Sequence, residues 1–329
     1  MPDDVVFQTK PQIALTQIDR ALANGVLVCA WTFDELYGRN GPFLAGLEER
    51  GQVFVGEIPS DFHGWVKKPN VLTSGPKHRR KGRSKTYPRL ASGGRSSKVR
   101  NLLTHSRVFQ QKAWQRYVIK ESDKGPVVWE VKWSVFWRKD ESGLPTRRHT
   151  LLVARNVLTG EVKYFLSNRV PGEVNPVTGE RVTVRWLLRV AFGRWSIESV
   201  FRESKEELGL DHWEVRGWRC VHRHYYVTQL SHLFCARMRA EFNGPHLDPL
   251  VRVSLEQVRS AMNVWLETVD SCPKCRRHRF EEELKHQTYH QSRNAQARMS
   301  HRKSRIRELE ALGIDVTRIK SCIPPRPPT

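Results

Sequence analysis

Val26-Leu27-Val28-Cys29-Ala30-Trp31-Thr32-Phe33-Asp34 is the stretch on which the fold of this 329-residue chain turns. It is apolar except for Thr32, follows the Asn24-Gly25 stop signal and is short for a core helix, so it reads as a buried strand closed by a carboxylate. Upstream, Ile13, Ala14, Ile18, Ala21 and Leu22 recur at helical spacing and predict a helix over residues 12–23. Downstream, Gly38, Asn40, Gly41 and Pro42 form a loop, residues 43–50 a short helix and residues 52–58 a second apolar strand. The result is a strand-helix-strand unit with Asp34 at the end of its first strand, the mark of an α/β domain.

Past that unit the composition changes. Between Asp61 and Glu121 there is no acidic residue against 16 Lys or Arg. Residues 77–100 hold ten of these with Gly82, Gly93, Gly94 and four serines, the composition of an exposed, partly disordered arm. The whole chain carries a formal net charge of +22, so it favours a polyanion, nucleic acid or anionic lipid. A hydrophobic content of 39% supports a core of about two domains by length. Six cysteines in 329 residues are too few for a disulfide scaffold, which fits a reducing, cytoplasmic (nucleoid-associated) location. The first residues lack a basic segment followed by a long apolar one, and the eight-residue run 26–33 is far short of the roughly 20 needed to span a bilayer.

Val127, Trp129, Val131, Trp133, Val135 and Trp137 occupy alternate positions, with Glu130, Lys132 and Ser134 between them. Period two predicts a half-buried strand, and residues 150–154 and 162–166, separated by turns at 140–143 and 159–160, complete an antiparallel meander. Rings alternating with valine favour a core face over a base-stacking platform. A helical pattern then spans residues 182–208, with further helices over 221–242 and 254–269. Beyond Cys272 the chain is basic again and ends in a frayed, proline-rich tail.

On the long helix Arg194, Glu198, Phe201 and Lys205 fall at offsets of 0, 4, 7 and 11, one stripe of a 3.6-residue helix. Spacing alone also suits an ordinary amphipathic helix with one Arg-Glu pair. Ala191, Arg194, Glu198 and Lys205 match three of the four positions of a Tyr-x2-Arg-x3-Glu-x6-Lys signature, with alanine replacing tyrosine. Around them stand Arg194-Trp195-Ser196-Ile197-Glu198, Lys205-Glu206-Glu207-Leu208-Gly209-Leu210-Asp211-His212, Glu214-Val215-Arg216 and Arg223-His224. Upstream stand Phe7-Gln8-Thr9-Lys10-Pro11 and Asp34-Glu35-Leu36-Tyr37-Gly38. In these motifs the chain resembles the DDE transposases of bacterial insertion sequences, of the insertion-sequence-four-like superfamily. The resemblance extends over most of residues 5–240 and more loosely over 291–303.

The resemblance implies an α/β, RNase H-like core, incomplete at its N-terminus, with a β-strand insertion between Asp34 and Glu198 and a helical C-terminal region. Its parts would be residues 1–60 and 181–245 for the core, 61–125 for the basic arm, 126–180 for the insertion and 246–329 for the basic C-terminal region. It implies Asp34 and Glu198 as catalytic carboxylates holding Mg²⁺ (or Mn²⁺), and Lys205 on substrate phosphate. Arg194, Arg216, Arg223 and His224 would be further DNA contacts. Partners would be transposon-end and target DNA, with self-association or pairing with a full-length transposase. The family's first Asp lies on a strand before the helix that here begins near Gln12. Asp3, Asp4 and Asp19 do not replace it, so a truncated, weakly active or inactive copy is expected, with an exposed edge on the strand at 26–33. The rival expectation is a non-catalytic DNA-binding remnant or regulator of transposition. Separately, Cys272-Pro-Lys-Cys275 has the spacing of half a tetrahedral zinc site, with His278, His286 or His290 nearby.

Overall fold

In the computed structural model, residues 6–73, 86–244 and 252–323 are described. Helices α1 (Lys10–Ala23), α2 (Glu35–Gly38) and α3 (Gly41–Glu49) lead into β1 (Val55–Ile58), β2 (His63–Trp65), β3 (Val71–Leu72), β4 (Arg89–Leu90) and β5 (Ser97–Lys98). Helices α4 (Val99–His105) and α5 (Arg107–Gln110) precede a meander of β6 (Gln115–Ser122), β7 (Gly125–Lys139), β8 (Pro145–Asn156) and β9 (Val162–Ser167). Then follow α6 (Val184–Gly193), α7 (Trp195–Glu206), α8 (Trp218–Phe242), α9 (Leu255–Glu267), α10 (Pro273–Ala311) and β10 (Lys320–Ser321).

Alternation decides the layering. The sheet runs β1-β9-β8-β7-β2-β5, β6 also pairs with β7, and β10 lies parallel to β6. Along β8, Leu152 and Ala154 face α6 while Leu151 and Val153 face α3 and α4; β9 repeats this with Phe165 against Tyr164 and Leu166. Each strand therefore feeds two cores, one holding Trp186, Leu187, Ala191 and Phe192 of α6, the other Phe43, Leu44 and Leu47 of α3 with Val99 and Phe109. Trp129 and Val131 lie in the α6 core, as the period-two reading expects of a core stripe. The chain is thus α/β with a mixed sheet and a helical C-terminal region.

Several elements differ from the sequence reading. Residues 26–33 do not form a buried strand: only Trp31 bridges, in parallel, to Phe54, and Val26 and Leu27 are exposed. The segment runs beside β1, and its Cys29 carbonyl accepts from the Asn175 side-chain amide at 2.8 Å. The described residues of the basic arm, 61–73 and 86–125, carry regular elements. Its β5 pairs with β2, and Val99 and Leu102 enter the core, because apolar residues at 99, 102 and 103 outweigh the surrounding charge. Residues 77–85 of the arm lie outside the described residues. Strand β6 shows no period-two signature, because its buried residues Tyr117, Val118 and Ile119 are consecutive.

Within the helical C-terminal region, residues 273–311 form one 39-residue helix. It is held where Leu309 and Ile314 pack on Val118 and Val128, and where Arg302 reaches Glu121 (2.7 Å) and Arg298 reaches Asp123 (3.0 Å). The β6–β7 turn needs Gly125 for that docking. Its φ is +99°, and a Cβ there would stand 3.1 Å from the Arg302 backbone. The final proline-rich residues, 324–329, lie outside the described residues. Among the described residues no helix is long and apolar enough to cross a membrane.

Candidate active site

Residues 30–33 run beside β1 through Trp31 N–Val53 O (2.8 Å), Val55 N–Trp31 O (2.9 Å) and Glu57 N–Phe33 O (2.9 Å). The two segments meet closely because β1 contains Gly56, where a Cβ would fall 1.9 Å from the Phe33 ring. This pairing delivers Asp34 to the end of the parallel segment. Its Oδ1 accepts from the amides of Leu36 (3.0 Å) and Tyr37 (3.4 Å), capping α2, while Oδ2 accepts no hydrogen bond among the described residues. Asp19, by contrast, is committed to Arg50 at 2.6 Å, tying α1 to α3. Asp3 and Asp4 lie outside the described residues.

The helix expected over residues 182–208 is two helices. It breaks at Arg194, after Gly193, whose carbonyl accepts from the Ser196 hydroxyl at 2.8 Å; Ile197 N then bonds Arg194 O in a tighter turn. A helix-poor glycine and a side chain competing for the backbone are sufficient causes for such a break. Helix α6 stays in the sheet's core, and α7 leaves it with only Ser204 buried.

Just past the break, Trp195 packs on the α6 core. The ammonium of Lys120 sits 4.2 Å from its ring centroid and that of Lys163 5.9 Å. Lys163 also bonds Glu57 at 2.7 Å, and Glu57 is hydrogen-bonded through its backbone to Phe33, the neighbour of Asp34. Glu198 lies one turn beyond Trp195, 58% exposed, with Oε1 2.9 Å from the Arg194 guanidinium. Burial pulls the Lys120 ammonium below its ordinary value, and the Glu198 carboxylate opposes that fall. A continuous series of contacts, Phe33, Glu57, Lys163, Trp195 and Lys120, thus joins the Asp34 strand end to the Glu198 helix. Glu57, Lys120 and Lys163 had no signal in the sequence, and Trp195 stood only within the motif around Glu198, since the four come from β1, β6, β9 and α7 and meet only through the sheet.

The other sequence candidates lie farther along. Lys205 is exposed in the last turn of α7, and Arg216 and Arg223 are exposed on the following loop and α8. His224 is partly buried; its Nε2 bonds the Gly209 carbonyl (2.9 Å) and its ring meets Trp213 edge-on, so it fixes the turn after α7 against α8. Two thiols at 272 and 275 stand with their sulfurs 2.9 Å apart.

Carboxylate oxygens are the donors that hard divalent cations favour, and Mg²⁺ keeps several waters beside few carboxylates. Asp34 and Glu198 fit that chemistry as donors. No group of three His, Cys, Asp or Glu is gathered for a metal among the described residues, so water and phosphate oxygens would complete a shell there.

Residues 1–124 match a family model described as DDE superfamily endonuclease. That span contains α1, Asp34, α2, α3 and β1, and stops short of the helix bearing Glu198. No curated protein matches the chain. The match supports a transposase-like nuclease of the DDE type, a class that acts on DNA and uses divalent metals.

Proposed function

We propose that the protein is a DDE transposase of the insertion-sequence-four-like kind, with an RNase H-like core, acting on transposon-end and target DNA. The observation that carries this reading is the joining of Asp34, at the end of a segment parallel to β1 and inside the matched span, to the α7 break from which Glu198 projects. Asp34 and Glu198 are the proposed ligands of Mg²⁺ or Mn²⁺. When bound, such ions lower the pKa of an attacking water or 3′-hydroxyl and stabilise the leaving oxygen. Arg194 orients the Glu198 carboxylate through its 2.9 Å ion pair. Lys120, Lys205, Arg216 and Arg223 supply phosphate contacts, and the basic arm and α10 add sequence-independent ones. His224 acts by holding the turn that positions Lys205. A second copy, or a full-length transposase, is the proposed protein partner.

The test is nicking of supercoiled DNA carrying the element's ends, in Mg²⁺ or Mn²⁺. Glu198→Gln and Asp34→Asn are each expected to reduce nicking to the metal-free background while DNA retention on a filter is unchanged. Nicking that survives both substitutions overturns the assignment.

A second reading, a DNA-binding regulator without chemistry, is favoured by the absence of a three-ligand group among the described residues and by the tie of Glu198 to Arg194. It predicts retention that falls steeply with salt and no nicking by the unaltered protein with either metal.

A further inference from the structure

Cys272 and Cys275 open α10 and belong to no part of the proposed DNA site. Cys272 is the N-cap: its Sγ accepts from the Cys275 amide at 3.2 Å, and Pro273 sets the first helical turn. Arg276 donates from its Nε to the Thr268 carbonyl (3.0 Å) and from its Nη2 to the Val269 carbonyl, which clamps the turn between α9 and α10 and holds the pair in place. Both cysteines are exposed, and their sulfurs are 2.9 Å apart.

That separation discriminates between two chemistries. Two thiolates on tetrahedral zinc, each at about 2.3 Å from the metal, stand about 3.8 Å apart. The observed sulfurs are closer than that edge, in direct contact, and need to close by only about 0.85 Å more to reach a disulfide bond of about 2.05 Å. No third ligand joins them among the described residues, and the nearest histidine in sequence, His278, has its Nδ1 3.6 Å from Glu282.

We propose that Cys272 and Cys275 are a redox-active dithiol that closes reversibly to a disulfide by exchange with a low-molecular-weight disulfide of the glutathione class. The Cys272 thiolate attacks one sulfur of R–S–S–R, a mixed disulfide forms and the first RS⁻ leaves, taking up a proton. Cys275 then loses its proton and attacks the Cys272 sulfur, and the second RS⁻ leaves and is protonated. Two protein thiols are oxidised to one disulfide and one external disulfide is reduced to two thiols. The division of labour follows from the cap. The Cys275 side chain, then the amides of Cys275 and Lys274, hold the Cys272 thiol below its ordinary value, while the same contact raises Cys275. Cys272 is accordingly the attacking sulfur and Cys275 the resolving one.

The test treats the reduced full-length protein with oxidised glutathione, followed by alkylation and mass mapping of the peptides bearing residues 272 and 275. The unaltered protein is expected to lose both thiols there with no glutathione retained. Cys275→Ser is expected to retain one glutathione on Cys272, and Cys272→Ser to form its adduct about tenfold more slowly. Free, alkylatable thiols at both positions, or adducts forming at equal rates in the two variants, overturn the proposal. So does zinc at one equivalent that shields both thiols and stays bound through dialysis, an outcome that assigns the pair to a metal.

Discussion

Trp129 in the central sheet keeps 1% of its surface, whereas Leu230 on α8 keeps 66%, with Tyr226, Leu233 and Phe234 exposed beside it. In the sheet the main apolar stripes are covered, on one face by α6 and on the other by α3, α4 and α5, with Leu309 and Ile314 closing over Val118 and Val128. Helices α7 and α8 are tied by polar contacts, Ser204 with His232 (3.0 Å) and Glu203 with Arg239 (3.0 Å), while α9 joins them through Glu207 with Arg259 (3.1 Å) and a small apolar cluster of Cys235, Leu255 and Val258. The proposed site lies across this seam. Asp34 belongs to the covered half, while Glu198 belongs to the other, paired with Arg194 one turn from Trp195, which packs on the sheet's core. The difference teaches that an apolar pattern reports burial only where a second layer exists to receive it.

The contrast breaks most visibly at Trp129. Trp129→Ala is expected to destabilise the protein by about 3–5 kcal/mol, since it empties a cavity between β7 and Phe192. Urea denaturation followed by circular dichroism measures it, and a loss below about 1 kcal/mol would mean that the α6 core is not the stabilising one.

Next comes the polar tie of the other core. Glu48 on α3 bonds His149 (2.6 Å), Arg147 (3.3 Å) and Arg138 (3.4 Å). Burial alone would raise its carboxyl, but the His149 hydrogen bond and the charges of His149, Arg138 and Arg147 hold it below the ordinary 4.5. Glu48→Gln leaves Arg138 buried without its charge partner and is expected to cost about 3 kcal/mol at pH 7. The folded pKa is depressed, so the charged form's contribution is complete above the unfolded value and disappears as pH falls through the folded one. The gap between the unaltered protein and Glu48→Gln should therefore narrow on acidification below about pH 4.5. A gap that stays constant or widens in a pH series of denaturation curves would remove Glu48 as its source.

The smallest effect belongs to the uncovered half. Leu230→Gln is expected to change stability by no more than about 0.5 kcal/mol, as for an exposed position. A loss of 2 kcal/mol or so in the same measurement would show that α8 is covered in solution.

Much of the covered half was legible. Period two in residues 127–137 located β7, and the turn residues at 140–143 and 159–160 bounded β8 and β9, because local sterics and alternation act within a few residues. The capping pairs of α1 and α9, Thr9 with Gln12 and Ser254 with Gln257, are likewise contacts within four positions of the chain. Residues 26–33 misled because an apolar run states a preference for burial without naming a partner. The break at Arg194 was hidden because Gly193 and Ser196 weaken a helix too little to end it without the pull of two different environments. The length of helix α10 was not legible within the expected helical C-terminal region, because charge dominates its composition and its docking rests on few apolar contacts near its end, chiefly Leu309.

By itself the amino-acid order determined the α/β class, the positive charge, the capped helices and the placement of Asp34 and Glu198 within recognisable motifs. All of these follow from interactions between residues near in sequence or from sums over the chain. Only the tertiary structure decided that β1 and the meander share one sheet, that Glu57, Lys163, Trp195 and Lys120 connect the two carboxylate-bearing elements, and that α7 departs from the core. Those outcomes depend on contacts between residues up to about a hundred positions apart, such as Lys163 with Glu57, whose energy exists only once the sheet has closed the loop between them.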